Sequence, residues 1–231
     1  TGIYKLNSIP FYGPSIATED EFFAEFDRPF VLPVENLGVF GNYYSRAKTV
    51  YSLSGESLKN TLGSVISQNK KTQIRVAETE KSKHVTFFFS GEMDEKFEGE
   101  ERIIVKSSGV PNYAVDPEMS AAEHTNKLIE RLETGNPIDF VLQNFANPDI
   151  VGHSGSLSAA IKAVETVDEQ LKKLLPVLKK LDYTVVLTAD HGNCDIMQYE
   201  DGSPHVSHTK NLVPFVVLSP KNEKILVQKK G

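Results

Sequence analysis

The 231-residue sequence lacks features that several protein classes need. It has a single cysteine, Cys194, which excludes an internal disulfide framework and suits a reducing compartment, so we expect a cytoplasmic protein. No apolar run is long enough for a membrane span, and no basic segment followed by an apolar one marks a signal peptide. The formal charge of -6, with basic and acidic residues dispersed, leaves no basic stripe for a nucleic-acid backbone. Neither nucleic acid nor a membrane is therefore an expected partner.

The first 50 residues differ from the rest. They lack sustained periodicity and are rich in aromatic residues, glycine and proline, as in "FYGPS", "FDRPFVLP" and "GVFGNYYS". Such stretches are typical of short strands and turns. The sequence also opens on Thr1 without an initiator methionine. We therefore expect the chain to be a piece of a longer protein.

From about residue 56 onward, helix and strand patterns alternate. Predicted strands are "TQIRVAE", "HVTFFFSG", "ERIIVKSS", "DFVLQNFA", "YTVVLTA" and "VPFVVLS". Helices are predicted near 56–69, capped by Ser54 or Ser57, and in "SAAEHTNKLIERLETG" and "SGSLSAAIKAVETVDEQLKKLLPVLKKL", where Pro176 should kink or divide the helix. The alternation predicts an α/β fold, a three-layer αβα sandwich around a largely parallel sheet.

Polar side chains that bind metals follow two of the predicted strands. "DFVLQNFANPDIVGHSG" delivers Asp149 and His153, and "TVVLTADHGN" delivers Asp190 and His191. A third loop, "SPHVSHTKN", contains His205 and His208 shortly before the last strand. Because the carboxyl ends of parallel strands lie on one edge of a sheet, the three loops are expected to converge.

Carboxylate and imidazole ligands together suit a borderline divalent ion such as Mn²⁺ or Zn²⁺. Two such ions about 4 Å apart clamp a phosphoryl group and stabilise both the attacking and the leaving oxygen. Each motif alone can also occur without binding a metal. Asp-Xaa-Xaa-Xaa-His is frequent by chance, and Asp-His-Gly also occurs as a capped turn with a hydrogen-bonded histidine. We interpret His84 and His124 as structural or surface residues, and Cys194 as a small loop residue rather than a nucleophile.

In combination, "NFANPDIVGHSG", "TADHGN", "HTKNLVPF", "RVAETEKSKHVTFFFSG", "GEERIIVKSS" and "DPEMSA" resemble the carboxyl-terminal half of cofactor-independent phosphoglycerate mutase, a family of the alkaline phosphatase superfamily. The resemblance covers about residues 51–219. "DHGN" alone indicates only the superfamily, whereas "AETEKxxHVTFFF" points to the mutase. The resemblance implies an alkaline phosphatase-like fold. It also implies that residues 51–231 are the carboxyl-terminal part of the metal-binding, phosphatase-like domain and that residues 1–50 are a linker or remnant of the family's middle domain.

The resemblance also implies a role for each matching residue. Asp149, His153 and His208 match the ligands of one manganese, and Asp190 and His191 match ligands of the second. Lys81 of "AETEK" matches a lysine that reaches the substrate phosphate, where a cation offsets its charge. His205 has no role in this scheme. Mg²⁺, Zn²⁺ or Co²⁺ are alternative ions at the same sites.

Some features of the family are not recognisable in this sequence: the Asp-Gly segment, the nucleophilic serine and the arginine-rich middle domain. We therefore expect the parent protein to be a monomer that interconverts 3-phosphoglycerate and 2-phosphoglycerate in glycolysis through a phosphoserine and two Mn²⁺ ions, and this chain alone to be inactive. Two alternatives stay open. One is another metalloenzyme of the superfamily, a phosphopentomutase or phosphatase, and the other is a catalytically silent metal-binding domain.

Overall fold

The computed structural model describes residues 38–39, 51–52 and 58–221. Their elements, in chain order, are β1 (Gly38–Val39), β2 (Tyr51–Ser52), α1 (Leu62–Gln68), β3 (Gln73–Glu78), α2 (Ser82–Val85), β4 (Glu100–Val105), α3 (Ala121–Thr134), β5 (Phe140–Gln143), α4 (Asn147–Gly152), α5 (Leu157–Lys180), β6 (Val185–Thr188) and β7 (Phe215–Leu218). Short 3-10 turns, Thr79–Lys81 and Tyr113–Val115, precede α2 and α3. No helix among these residues is both long and apolar enough to cross a membrane.

The central sheet is parallel and has β3 in the middle. Its strand order is β4-β3-β5, so that Gln73 pairs with Glu100 on one side and with Phe140 on the other. All six residues of β3 are buried, as expected for a strand covered on both faces, although Gln73, Arg75 and Glu78 are polar or charged. The parallel arrangement brings the carboxyl ends of β3 and β5 to the same edge.

Helices cover both faces of this sheet. Alternate side chains of β3 point to opposite faces, so Ile74 and Val76 pack into one core. The same core contains Ile138 and four leucines of α3 and α5: Leu128, Leu132, Leu174 and Leu178. On the opposite face, Gln73 donates to the main-chain oxygen of Gly63 in α1 at 2.9 Å, and the guanidinium of Arg75 lies 4.4 Å from the Phe89 ring centroid. The αβα sandwich predicted from the sequence is therefore confirmed.

The last two strands form a separate antiparallel pair among the described residues. Val185 of β6 pairs with Leu218 of β7, and Thr188 pairs with Phe215. The predicted strands "YTVVLTA" and "VPFVVLS" are thus both present. "Largely parallel" describes the three-stranded sheet, whereas this pair runs in opposite directions.

The predicted strand "HVTFFFSG" is wrong. Residues 82–85 are helical and the following residues form turns, with Phe88 N donating to Lys83 O at 3.0 Å and Ser90 N to Thr86 O at 2.9 Å. The strand was predicted because the segment is rich in β-branched and aromatic residues, which are also common in strands. β3 and β4 are parallel neighbours, so the segment between them must cross back over the sheet rather than pair within it. Its aromatic side chains serve that packing, since Phe89 lies over Arg75.

Two helix predictions need correction at specific residues. The first helix begins at Leu62 instead of near residue 56, and its N-cap is Thr61, which accepts from Ser64 N at 3.4 Å, rather than Ser54 or Ser57. Those two serines lie outside the described residues. The long helix α5 runs from Leu157 to Lys180 through Pro176, so of the two effects predicted for this proline, division of the helix is wrong.

Burial of His124 makes stability depend on pH. The ring is fully buried, and its Nδ1 accepts from the Gln143 amide at 2.9 Å, so a proton added at Nδ1 would face that donor. Burial lowers the His124 pKa to about 4 from an ordinary 6.5. Because the unfolded chain takes up this proton first, the stability present above pH 6.5 is lost progressively down to pH 4.

We expect this loss to amount to about 3 kcal/mol, because each unit of pKa shift is worth about 1.4 kcal/mol. Urea unfolding at a series of pH values, with His124→Leu as the comparison, measures it. The difference between the two unfolding free energies should change by about this amount between pH 7 and pH 4. Parallel pH profiles for the two proteins would show that His124 does not titrate as described.

Candidate metal centre

The predicted ligands follow strand ends. β5 ends at Gln143, and Asp149 lies on the short helix α4 that begins four residues later. β6 ends at Thr188, and Asp190 and His191 follow after one intervening residue. The loop that carries His208 is held against this second strand end, because Gly192 and Thr209 form an isolated β-bridge. The structure therefore brings the three loops together, as expected from the sequence.

Asp149 is at the centre of the cluster. Its Oδ1 lies 3.2 Å from His153 Nε2 and 3.0 Å from His208 Nε2. The two imidazole nitrogens are 3.1 Å apart. Three potential ligand atoms thus converge on one point, although His208 is 55 residues from His153 in the sequence.

The tautomer of His153 is determined by its neighbour. Nδ1 lies 2.7 Å from the main-chain oxygen of Val206, which can only accept a hydrogen bond. The proton of the neutral ring is therefore on Nδ1, which leaves the lone pair of Nε2 directed at the cluster. A backbone carbonyl that fixes the second ring nitrogen is the usual partner of a metal-binding histidine.

The two residues of the second predicted ligand pair, Asp190 and His191, differ in how close they lie to the cluster. The His191 ring stacks on His208, with centroids 3.6 Å apart and planes at 19°. One ligand atom each from Asp149, His191 and His208 lies within 4.8 Å of the others. Asp190, in contrast, is 73% exposed, and its Oδ2 is 3.5 Å from His191 Nε2. His191 therefore adjoins Asp149 and His208, whereas Asp190 lies at the rim of the cluster.

Lys81 supplies positive charge to this cluster. The residue follows β3 on the Thr79–Lys81 turn, and its Nζ contacts Asp149 Oδ2. Burial alone would raise the pKa of Asp149, but the hydrogen bonds from Lys81 and Asn193 and the Lys81 charge outweigh burial and lower it to about 2. The carboxylate is therefore ionised at every pH at which the protein would be assayed, as a metal ligand must be.

The donor set fits a divalent cation. It combines carboxylate oxygen with imidazole nitrogen and includes no thiolate, which suits borderline ions such as Mn²⁺, Co²⁺ and Zn²⁺. Asp149, His153 and His208 provide three mutually close donors for one ion, and Asp190 and His191 extend the donor set along the same edge.

Two neighbours in the "DHGNCD" loop have contacts that the sequence interpretation did not assign. The Asn193 amide donates to Asp149, at 3.0 Å to its main-chain oxygen and 2.9 Å to Oδ1. The Cys194 thiol donates to the Pro148 main-chain oxygen at 2.7 Å. Burial, with the charges of Asp149 and Asp195, raises the Cys194 pKa to about 11, so the sulfur stays protonated. This agrees with a loop residue and not with a nucleophile.

The three histidines that are not proposed as ligands have other neighbours. His124 is buried against Gln143, and His84 is an exposed residue of α2 whose ring meets Phe88 edge to face, as expected for structural or surface histidines. His205 lies in the same loop as His208 and contacts the Tyr199 ring at 4.7 Å between centroids.

Comparison with known proteins assigns the family. Residues 39–231 match the family model described as "Metalloenzyme superfamily". The chain belongs to the metalloenzyme superfamily. This membership agrees with the metal-ligand side chains found at the strand ends. The family model also matches residues on both sides of 51–219, the range in which the motifs were found.

Several relatives of this chain are named 2,3-bisphosphoglycerate-independent phosphoglycerate mutase. The protein of Francisella tularensis subsp. novicida is 42% identical over 215 residues, 93% of this chain and 42% of its own. The protein of Clostridium botulinum is 51% identical over 172 residues, 74% of this chain and 33% of its own. A crystal structure of Leishmania mexicana phosphoglycerate mutase, obtained at low cobalt concentration, aligns with a TM-score of 0.73 and 28% identity, covering 90% of this chain and 40% of that chain.

These similarities confirm the resemblance that the motifs indicated, and the structural neighbour confirms the fold. They also define its extent. The chain spans about two-fifths of the length of the Francisella relative.

Proposed function

We propose that this chain forms the metal-binding part of a phosphoglycerate mutase, an isomerase that interconverts 3-phosphoglycerate and 2-phosphoglycerate in glycolysis. The observation that carries the proposal is the convergence of Asp149 Oδ1, His153 Nε2 and His208 Nε2 within 3.2 Å of one another. Support comes from the relatives and the structural neighbour, which bear the name of that enzyme.

The metals proposed for the centre are two Mn²⁺ ions. Asp149, His153 and His208 would hold the first, and Asp190 and His191 would contribute to the second. When bound, such ions neutralise phosphate charge and stabilise the attacking and leaving oxygens of a displacement. His153 is ready for this role, because its Nδ1 proton is directed at Val206.

The proposed role of Lys81 is to bind the substrate phosphate. Its ammonium group is mostly buried and contacts Asp149, so it lies beside the metal ligands. A lysine is a point charge with three donors on a flexible stem, and it can turn from a carboxylate to a nearby phosphate oxygen. In this position it would offset the charge that a phosphoryl group carries during transfer.

The domain proposal follows the extent of the match. Residues 51–231 would form part of a phosphatase-like domain, and residues 1–50 would be a linker or a remnant of the middle domain. Most of residues 1–50 lie outside the described residues, so this assignment depends on the sequence. We further propose a cytoplasmic monomer whose partner is a small phosphorylated substrate.

By itself, the 231-residue chain should show no conversion of 3-phosphoglycerate to 2-phosphoglycerate. Phosphoryl relay requires a serine that is aligned with the metals and able to attack. Three nearby serines already have local hydrogen bonds, and neither Ser203 nor Ser207 precedes a helix whose N–H groups could receive a phosphate. Ser154 accepts from Ser156 N at 3.2 Å, Ser156 caps α5, and Ser203 donates to Asp201 at 2.6 Å. An enolase-coupled assay with Mn²⁺, run on the chain and on the complete gene product, should find turnover in the second only.

Assays of the complete gene product with other substrates separate the alternatives. Hydrolysis of p-nitrophenyl phosphate without mutase turnover would favour a phosphatase, and conversion of ribose 1-phosphate would favour a phosphopentomutase. If the complete gene product binds Mn²⁺ but converts none of these substrates, it is a catalytically silent metal-binding protein. Strong turnover by residues 1–231 alone would show that a serine of this chain is the nucleophile.

A further inference from the structure

Asn193 connects the two loops that carry the candidate ligands. It follows His191 by two residues, yet its side chain reaches Asp149 on α4. The side chain is almost completely buried, at 5% exposure, so these contacts are shielded from solvent. Hydrogen bonds to a charged group in such surroundings are stronger than those at a surface.

The geometry of the contact constrains Asp149 in a specific way. One amide nitrogen carries two hydrogens, and it donates at 3.0 Å to the main-chain oxygen of Asp149 and at 2.9 Å to Oδ1 of the same residue. A single group that holds both the backbone and the carboxylate fixes the rotamer of the side chain. With Oδ2 held by Lys81, both carboxylate oxygens have a defined direction.

The atom that Asn193 contacts is also the atom that faces the histidines. Oδ1 lies 3.0 Å from His208 Nε2 and 3.2 Å from His153 Nε2. A carboxylate oxygen has two lone-pair directions, so one N–H bond leaves the other available to an ion between the two rings. The amide thereby determines which way the free lone pair of Oδ1 points.

Gly152 makes room for this contact. A Cβ at that position would lie 2.3 Å from Asn193 Oδ1 and 2.7 Å from its Cγ, well inside contact distance. The last residue of α4 therefore allows the amide to lie against the helix that carries Asp149. Alanine at 152 would be expected to displace the amide, although it leaves every proposed ligand unchanged.

We infer that Asn193 is a positioning residue of the metal centre, which aligns Asp149 Oδ1 with His153 and His208 and ties the Asp190–His191 loop to α4. This inference rests on the proposed metal centre. It adds to that centre a residue that binds no ion itself. Outer partners of this kind change metal affinity by about tenfold to a hundredfold when they are removed.

Calorimetric titration of the metal-free chain with Mn²⁺ tests the inference. Asn193→Ala should raise the Kd of the first site by about tenfold to a hundredfold, and Gly152→Ala should weaken binding in the same direction. The control is Asn211→Ala, which removes an exposed amide bonded to Asp195 at 2.6 Å in the neighbouring segment and should leave the Kd unchanged. Thermal unfolding of each metal-free variant checks that it is folded.

The outcomes separate positioning from stability. A residue that only stabilises the loop would lower the melting temperature of the metal-free protein and leave the Kd of the folded protein within twofold of the unaltered value, which would overturn the inference. If Asn193→Ala does not fold, Asn193→Ser keeps a hydroxyl but is too short to reach both oxygens of Asp149, and the same weakening is expected.

Asp149→Ala, measured in parallel, distinguishes this inference from the proposed function. Suppose that Asp149→Ala abolishes Mn²⁺ binding while the Asn193 variants bind Mn²⁺ with an unchanged Kd. That result would support the metal centre and overturn only the positioning role of Asn193. Unchanged binding in Asp149→Ala, or no Mn²⁺ binding by the unaltered chain, would overturn the metal centre and the inference with it.

Discussion

Replacing Asp149 with alanine should weaken Mn²⁺ binding by more than about a hundredfold, a larger loss than removal of an outer partner causes. Its Oδ1 is the oxygen that lies near both His153 and His208, and the pKa of about 2 keeps it charged at all assay conditions. Without it, two neutral imidazoles would face a divalent ion with no compensating carboxylate between them. Calorimetric titration of the metal-free protein measures the effect.

Matched variants define the specificity of this loss. His208→Ala should weaken the same site, whereas Asp201→Ala removes an exposed carboxylate bonded to Ser203 and should have no effect. Asp190→Ala should leave the first site intact, because Asp190 is at the rim of the cluster. We therefore expect the first site to fill before the second, and unchanged tight binding in Asp149→Ala or His208→Ala would contradict the ligand assignment.

Lys81→Ala should reduce mutase turnover of the complete gene product by about a hundredfold to a thousandfold, the usual effect of removing one charge-stabilising donor. Mn²⁺ binding should survive. Without Lys81 the pKa of Asp149 rises, but the hydrogen bond from Asn193 and the bound cation both still favour the ionised carboxylate. The coupled enolase assay and calorimetry on the same variant should therefore give opposite answers.

The control for this prediction is Lys83→Ala, two residues further on. Lys83 is an exposed lysine paired with Asp94 at 2.6 Å, and its removal should change turnover little. Equal losses in both variants would indicate a general charge effect, and full activity in Lys81→Ala would remove Lys81 from the site.

The sequence predicted the strands that have a simple signal. In "QIRVAE", which is a strand in the structure, Ile74 and Val76 alternate with polar residues. "FVLQ", "VVLT" and "FVVL" are short, mainly apolar runs bounded by polar residues or turns, and each is also a strand. "HVTFFFSG" has the same composition and is not a strand. Its position between two parallel neighbours requires a crossover, which is a property of the sheet and not of the segment.

The candidate site was predictable in part for similar reasons. His153 follows Asp149 by four residues, so local chain geometry alone brings the two together. The approach of His208 across 55 residues follows from the fold. The alternating strand and helix pattern predicted that its loop would converge with the other two, and the resemblance assigned His208 itself as a ligand. Asn193 was not identified, because a loop asparagine next to glycine is typical of an ordinary turn and gives no sign of a distant partner.

The most direct test of the metal centre is diffraction from crystals of the protein grown with Mn²⁺, recorded at the manganese absorption edge. We expect an anomalous peak bounded by Asp149 Oδ1, His153 Nε2 and His208 Nε2, the three atoms that converge in the structure. A peak bound by other residues, or none at this position in protein saturated with Mn²⁺, would contradict the proposed metal centre.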